Sequence, residues 1–214
     1  MKKQLSRNDI LRVLPNGNVA EIGVARGEYS ASILKFNNPN KLYLIDIWAK
    51  IDLSYKDTNM PEQEIQENRF NDIKKKYHTN SAVEIIRKKS DEAAQLFENF
   101  FFDWVYIDAD HSYQGCLRDL NCYDKLVKET GYILGHDFGN IIKKGYGVRK
   151  AVFEFIMKNN YFFTYLTLDE QKEIIINNKK TLFKNGSFVI SKNEQSHKIF
   201  KKKLTALKNE LDRI

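Results

Sequence analysis

The chain has 214 residues, enough for one α/β domain with a sizeable core and too few for two of ordinary size. Apolar residues make up 42% and charged residues 29%, which excludes a largely disordered chain, and no apolar run reaches the length of a membrane span. The formal charge of +7 would suit a nucleic-acid partner, but the lysines are scattered and gather only in Lys198 to Lys208 and in Asn/Lys-rich turns, so nucleic acid is not the expected partner.

In chain order, "MKKQLSRNDILRVL" (1–14) reads as a short amphipathic helix whose polar residues interrupt any export-type apolar core. The strand-like run "NVAEIG" (18–23) then enters "VAEIGVARGEYS", with glycines at 23 and 27. Gly23 lets the backbone bend sharply after a strand, and Gly27 lets the next helix and a ligand approach without a Cβ in the way. A dinucleotide turn, G-x-G-x-x-G, would carry a glycine where this chain has Ala25, and Glu21 would set a carboxylate near any pyrophosphate. Both features disfavour a nicotinamide-dependent oxidoreductase and favour a ligand with a cationic group.

The run "KLYLIDIW" (41–48) delivers Asp46 roughly twenty positions after the turn, where a carboxylate can accept both hydroxyls of a ribose. Trp48, two residues on, reads by itself as a cap on the core. Residues 50–61 have no clean periodicity and are long for a connection, so they read as a lid loop or a surface insertion. Helical spacing of Ile65, Phe70, Ile73 and Tyr77 leads to the strand "AVEIIR" (82–87) and to "KKSDEAAQLF", where Ser90 reads as a helix N-cap.

The segment "FDWVYIDADHSYQGCLRDL" brings a strand (102–110) with Asp108, Asp110 and His111 at its end, and "GYILGHDF" (131–138) brings His136 and Asp137 beside them. Asp110 or Ser112 also suits the cap of the helix that starts near Tyr113. Asp108, however, follows largely apolar strand residues, where a carboxylate without a partner would be costly. Five titratable groups converging on two adjacent strand ends mark a functional site.

After a helix over Val148 to Met157, the runs "FFTYLTL" (162–168) and "GSFVISK" (186–192) flank a polar, turn-rich stretch and suit an antiparallel edge hairpin. The alternation implies a single domain over 1–214, an α/β Rossmann-like doubly wound seven-stranded sheet, mostly parallel with an antiparallel edge hairpin. In the C-terminal helix (194–214), Phe200, Leu204, Leu207, Leu211 and Ile214 form an apolar seam that either docks on the chain's own sheet or joins a homodimer. Cys116 and Cys122 lie on one helix where they cannot pair locally, and a reducing cytoplasm is the expected location.

Glu21, Gly23 and Gly27 match the pattern E/D-x-G-x-x-x-G, and I-D-A-D-H-S-Y, G-x-I-x-G-H-D and "GVRKAVFEF" follow in order. Over about residues 15 to 192 the chain resembles the class I S-adenosylmethionine-dependent methyltransferases, and within them the catechol O-methyltransferase-like subgroup that methylates hydroxyls of sugars and other small molecules. The resemblance implies a cofactor site of Glu21, Gly23, Gly27, Asp46, Trp48, Ser90 and Asp108. It implies Mg²⁺ at Asp108 and Asp137, with His136 where several relatives carry a carboxylate, and Asp110, His111 or His136 as the group that removes the acceptor's proton. The implied acceptor is a saccharide or hydroxylated metabolite, selected by residues 50–61, Tyr113 and Lys143 to Tyr146. Arg149 and Lys150 either meet an anionic substrate or are solvated helix charges. The rival readings are a nucleic-acid methyltransferase, for which no NPPY- or DPPY-type segment is present, and a non-catalytic Rossmann-like binding module.

Overall fold

The computed structural model describes residues 5–51, 62–139, 145–176 and 179–212. The elements run α1 (Arg7–Ile10), β1 (Asn18–Ile22), α2 (Glu28–Phe36), β2 (Lys41–Asp46), α3 (Gln63–Tyr77), β3 (Val83–Arg87), α4 (Ser90–Ala94) and β4 (Phe102–Ile107). They continue with α5 (Tyr113–Asp124), β5 (Val127–Gly135), α6 (Val148–Asn159), β6 (Phe162–Leu166), β7 (Glu170–Ile176), β8 (Lys179–Asn185), β9 (Phe188–Ser191) and α7 (Glu194–Leu211).

Seven strands form one sheet in the order β3-β2-β1-β4-β5-β9-β6. β1 to β5 pair in parallel, whereas β9 pairs antiparallel with both β5 and β6. The expected antiparallel edge is present, but β6 and β9 are not joined by a simple turn. Between them the polar stretch forms a second, two-stranded sheet, β7 with β8, paired from Glu170↔Asn185 to Ile176↔Lys179.

The central strands are buried on both faces, as parallel strands covered by helices must be. Alternate residues divide between two cores. Ala20, Ile45, Val105 and Ile133 pack with α4, α5 and α6, while Val19, Leu44, Tyr106 and Leu134 pack with α1, α2, α3 and α7. The seam residues Phe200, Leu204 and Leu207 belong to the second core, so α7 docks on its own sheet. Local signals set the helix starts. Ser6 and Asp9 form a reciprocal capping box on α1, Ser112 accepts from the Gly115 N–H at 3.0 Å, and Asn193 accepts from the Ser196 N–H at 2.8 Å.

Two sequence readings shift. Lys89, not Ser90, is the N-cap of α4, which leaves the Ser90 hydroxyl for another partner. The N-terminal helix read over 1–14 is confined, among the described residues, to Arg7–Ile10, and the chain leaves it in a turn at 11–13. The readings for 1–4, for 52–61 within the lid or insertion, for Lys143 and for Ile214 lie outside the described residues.

Candidate active site

Because β1 to β5 are parallel, their carboxyl ends share one rim. Ladder-like hydrogen bonds extend past the strands there, from Gly23 N to Ile45 O at 2.9 Å, Asp108 N to Ile22 O at 2.8 Å and His136 N to Ile107 O at 3.2 Å. The glycine turn, Asp46, Asp108 and the His136-Asp137 pair are thereby fixed against one another by backbone alone.

The turn needs its glycines. Gly23 has φ +92°, and a Cβ there would lie 2.1 Å from the Asp108 carbonyl oxygen; Gly27 has φ +68°, and its Cβ would meet the Ile73 side chain at 2.4 Å. Asp46 supports the turn, one carboxylate oxygen accepting from Ala25 N–H and the other from Trp48 N–H, both at 2.8 Å. Trp48 is wholly buried, with its indole N–H on the Ala25 carbonyl at 3.0 Å and its ring 5.2 Å from Phe70. It fixes the turn from behind, with none of its ring exposed.

Glu21 is buried beneath the turn and accepts a hydrogen bond from the Ser30 hydroxyl. Burial pushes its carboxyl up to about 8, the Ser30 bond opposing and Asp108 adding to the shift. An empty site therefore keeps Glu21 largely protonated at neutral pH, and a cation placed beside it would restore the carboxylate.

At the neighbouring strand ends, His111 Nε2 lies 3.1 Å from Asp108 Oδ1 and 3.1 Å from Asp137 Oδ2. The three donor atoms fall within 4.8 Å of one another. Asp137 has φ +55°, a conformation that short polar side chains adopt more readily than others. Burial works against its charge, but the contacts with His111 and His136 outweigh that and hold its carboxyl far below the usual range. His136 lies with Nδ1 3.5 Å from Asp137 and Nε2 3.9 Å from Asp169. Burial alone would lower its pKa, yet the Asp137 contact and the charges of Asp108 and Asp137 leave it raised. Tyr146 stacks on the His111 ring at 4.7 Å.

The five residues read from the strand ends thus gather at one place but do not share one task. His111, rather than His136, completes the donor trio with the two aspartates. Asp110 points toward α5, where it accepts from Ser112 N–H at 2.9 Å and approaches Arg118 at 3.9 Å. Arg149 is spent on the Phe138 carbonyl at 3.1 Å, and Lys150 sits 4.5 Å over the Tyr113 ring.

Three further residues, invisible from motif spacing, complete the rim. Asn185 donates to Asp137 Oδ1 at 2.8 Å and accepts from Gly139 N–H at 3.0 Å, so both ends of its amide are fixed. Asp169 accepts from Arg7 N–H, Thr167 and Ser187 at 2.6 to 3.0 Å. The Arg7 guanidinium lies 4.6 Å over the Tyr29 ring, and the Tyr106 hydroxyl and Asp108 carboxylate raise its pKa although burial opposes them. The flanks of the β7–β8 hairpin and the amphipathic spacing of the N-terminal segment were the only sequence signals for these three.

This strand order, with a glycine turn after β1 and acidic ends on β2 and β4, defines a Rossmann-like methyltransferase fold. A family model described as a methyltransferase domain (Methyltransf_24) matches residues 20–138, more than half of the chain, and the chain belongs to that family among the class I S-adenosylmethionine-dependent methyltransferases. A search of curated protein sequences finds no match. Among solved structures, a precorrin-6y C5,15-methyltransferase from Geobacter metallireducens is 13% identical, with a TM-score of 0.58 over 87% of this chain and 85% of that one. Spermidine synthase from Thermotoga maritima is 18% identical, with a TM-score of 0.55 over 92% of this chain and 60% of that one. M. capricolum TrmK in complex with S-adenosyl-homocysteine is 15% identical, with a TM-score of 0.54 over 89% and 70%. This chain spans about three fifths of the spermidine synthase chains, and at such identities these likenesses show the fold alone.

Proposed function

We propose that the protein transfers the methyl group of S-adenosylmethionine to a hydroxyl of a small molecule, a saccharide or another hydroxylated metabolite, in the cytoplasm and with a divalent cation. The observation that carries this reading is the carboxylate–imidazole–carboxylate trio of Asp108, His111 and Asp137 beside the glycine turn. Two free thiols, Cys116 and Cys122, agree with a reducing compartment. Among the described residues, no helix is long and apolar enough to cross a membrane.

The residues fit a cationic cofactor. Glu21, buried and largely protonated, gains a partner when an ammonium group arrives, Gly23 and Gly27 keep the turn open to close approach, and Asp46 and Ser90 line the course toward the β2–β3 side of the rim. The cofactor's sulfonium supplies an electrophilic methyl, so the protein must align an acceptor oxygen and remove its proton. Asp108, His111 and Asp137 also fit a divalent cation. The two carboxylates suit Mg²⁺, and the imidazole favours ions such as Mn²⁺ or Zn²⁺. Held by these three residues, a divalent cation would supply Lewis acidity that lowers the pKa of the acceptor hydroxyl. His136, whose side chain is 19% exposed and which is flanked by Asp137 and Asp169, takes the proton. Asn185 keeps Asp137 aimed at His111.

The test is a labelled-methyl transfer assay against sugars, catechols, hydroxy acids and transfer RNA, with chelator and with Mg²⁺ or Mn²⁺ restored. Transfer to a hydroxylated small molecule, lost with chelator and regained with the ion, is the expected result. Transfer to RNA alone would replace the acceptor, and undiminished transfer under chelation would remove the cation.

A further inference from the structure

α6 carries apolar residues on two faces. Val148, Ala151, Val152 and Phe155 form the inner one, buried in the core shared with α5. Folding accounts for that face alone. On the outer side Phe153 is 50% and Met157 78% exposed, four residues apart, and Lys150 and Tyr146 continue the same line at helical spacing. Exposed apolar residues that stand singly need no explanation. These two, with Tyr146 and Val148, line a groove of about 540 Å³, within the range of about 300–1,000 Å³ that small-molecule sites occupy.

The groove begins at the trio of Asp108, His111 and Asp137. Gly147 N–H donates to the His111 carbonyl at 2.8 Å, and a Cβ on Gly147 would lie 2.5 Å from the Tyr113 Cβ, so the start of α6 is pressed against the segment that carries His111. The Tyr146 ring, in the groove wall, stacks on the His111 ring at 4.7 Å. From the other strand end, Phe138 follows Asp137 directly and meets Phe153 edge-on at 5.4 Å. Aromatic contacts thus tie the wall to two of the three residues of the trio, and the groove follows about 15 Å of helix from Gly147 to Met157. Its charged residues are engaged: Arg149 with the Phe138 carbonyl, Glu154 with the Tyr113 hydroxyl at 2.5 Å, and Lys150 with the face of the Tyr113 ring. What the wall offers a ligand is apolar, with the adaptable thioether of Met157 at its far end.

We propose that this groove holds an uncharged apolar substituent, aliphatic or aromatic, of the same acceptor whose hydroxyl reaches the trio. The preferred acceptor is then a glycoside or other hydroxylated compound with an apolar group attached, rather than a bare sugar. Such a substituent leaves water for the surfaces of Phe153 and Met157, whereas a bare sugar is polar all round and gains nothing from them. The hydroxyl at the trio comes from the hydroxyl-methylation reading, on which this assignment of the groove rests.

The chain has three methionines, Met1, Met60 and Met157, so methionine methyl NMR gives three signals, of which Met157→Leu identifies the one at the groove. Methyl, hexyl and phenyl β-D-glucopyranosides are the probes. The Met157 signal should shift saturably with the hexyl compound, the phenyl compound or both, roughly tenfold or more tightly than with the methyl compound, and Phe153→Ser should abolish that preference. In methyl-transfer assays on glucosides, galactosides and rhamnosides, a hexyl or phenyl group should lower KM roughly ten- to a hundredfold against the methyl glycoside, with kcat within about threefold. Met157→Lys, at a position that the fold leaves open, should remove the difference, and it carries the test should Phe153→Ser fail to fold. Equal KM values, or a Met157 signal that answers none of the glycosides, overturns the inference and leaves the methyltransferase reading standing. A Met157 signal that moves with protein concentration alone assigns the groove to a second copy and overturns it likewise. Transfer to no hydroxylated compound, by protein that binds S-adenosylhomocysteine, overturns both the inference and the hydroxyl acceptor.

Discussion

His111 and His136 sit on either side of Asp137, and their surroundings separate their tasks. His111 is buried with Nε2 equidistant from two carboxylates, the setting of a ligand, whereas His136 retains some exposure at the rim. His136→Gln should therefore lower kcat by about 10²- to 10⁴-fold, the usual worth of a general base, while leaving S-adenosylhomocysteine affinity within about twofold. Single-turnover kinetics with titration calorimetry checks both numbers, and an unchanged kcat would place the proton elsewhere. The strand-end pattern made Asp108, His111, His136 and Asp137 legible, since a polar residue after an apolar parallel strand must emerge at the rim. It could not decide which way each side chain turns there. Asp110 follows the loop toward α5, and the choice between His111 and His136 as the third donor depends on a loop conformation that spacing does not encode. Arg7 and Asn185 were beyond reach for another reason: each arrives from an element distant in sequence, and only the closed fold brings them in.

At the scale of elements, the five parallel strands and their crossover helices were readable because period-2 and period-3.6 apolar patterns alternate with little ambiguity. The β7–β8 hairpin was not. Its strands, "EQKEIII" and "KKTLFKN", mix lysine and glutamate with apolar residues and carry no clean period-2 alternation. The apolar seam of α7 was ambiguous in the opposite way, being regular enough for either a partner helix or a sheet. The structure places Phe200 fully buried, 5.5 Å from Tyr132, with the Tyr132 hydroxyl bonded to the Ser196 carbonyl at 2.9 Å. Phe200→Ala should then cost about 3–5 kcal/mol of unfolding free energy, as for other buried aromatic truncations. Urea denaturation at two protein concentrations measures it. A loss below about 1 kcal/mol, with a midpoint that moves with concentration, would instead place the seam between two copies.

For the whole molecule, Glu21 links stability, pH and ligand. Its folded value of about 8 lies above the ordinary 4.5 because burial dominates, with Asp108 and Asp46 adding to the shift and Ser30 and Arg7 opposing it. Between those two values the folded chain holds a proton that the unfolded chain has released. This contribution to stability is complete below about pH 4.5 and is lost as pH rises through 8. The thermal midpoint of the empty protein should accordingly fall between pH 7 and 9, and in Glu21→Gln, which carries no titrating group there, that part of the fall should vanish. Binding reverses the balance, because an ammonium beside Glu21 favours the carboxylate. At pH 7, S-adenosylhomocysteine should therefore expel most of one proton from the wild type and none from Glu21→Gln. The slope of calorimetric enthalpy against buffer ionisation enthalpy measures that number directly. The variant should also bind roughly tenfold or more weakly, since a charge-assisted contact becomes a neutral one. Tight binding by the wild type with no proton released would separate Glu21 from the cofactor's ammonium and leave its burial a feature of the turn alone.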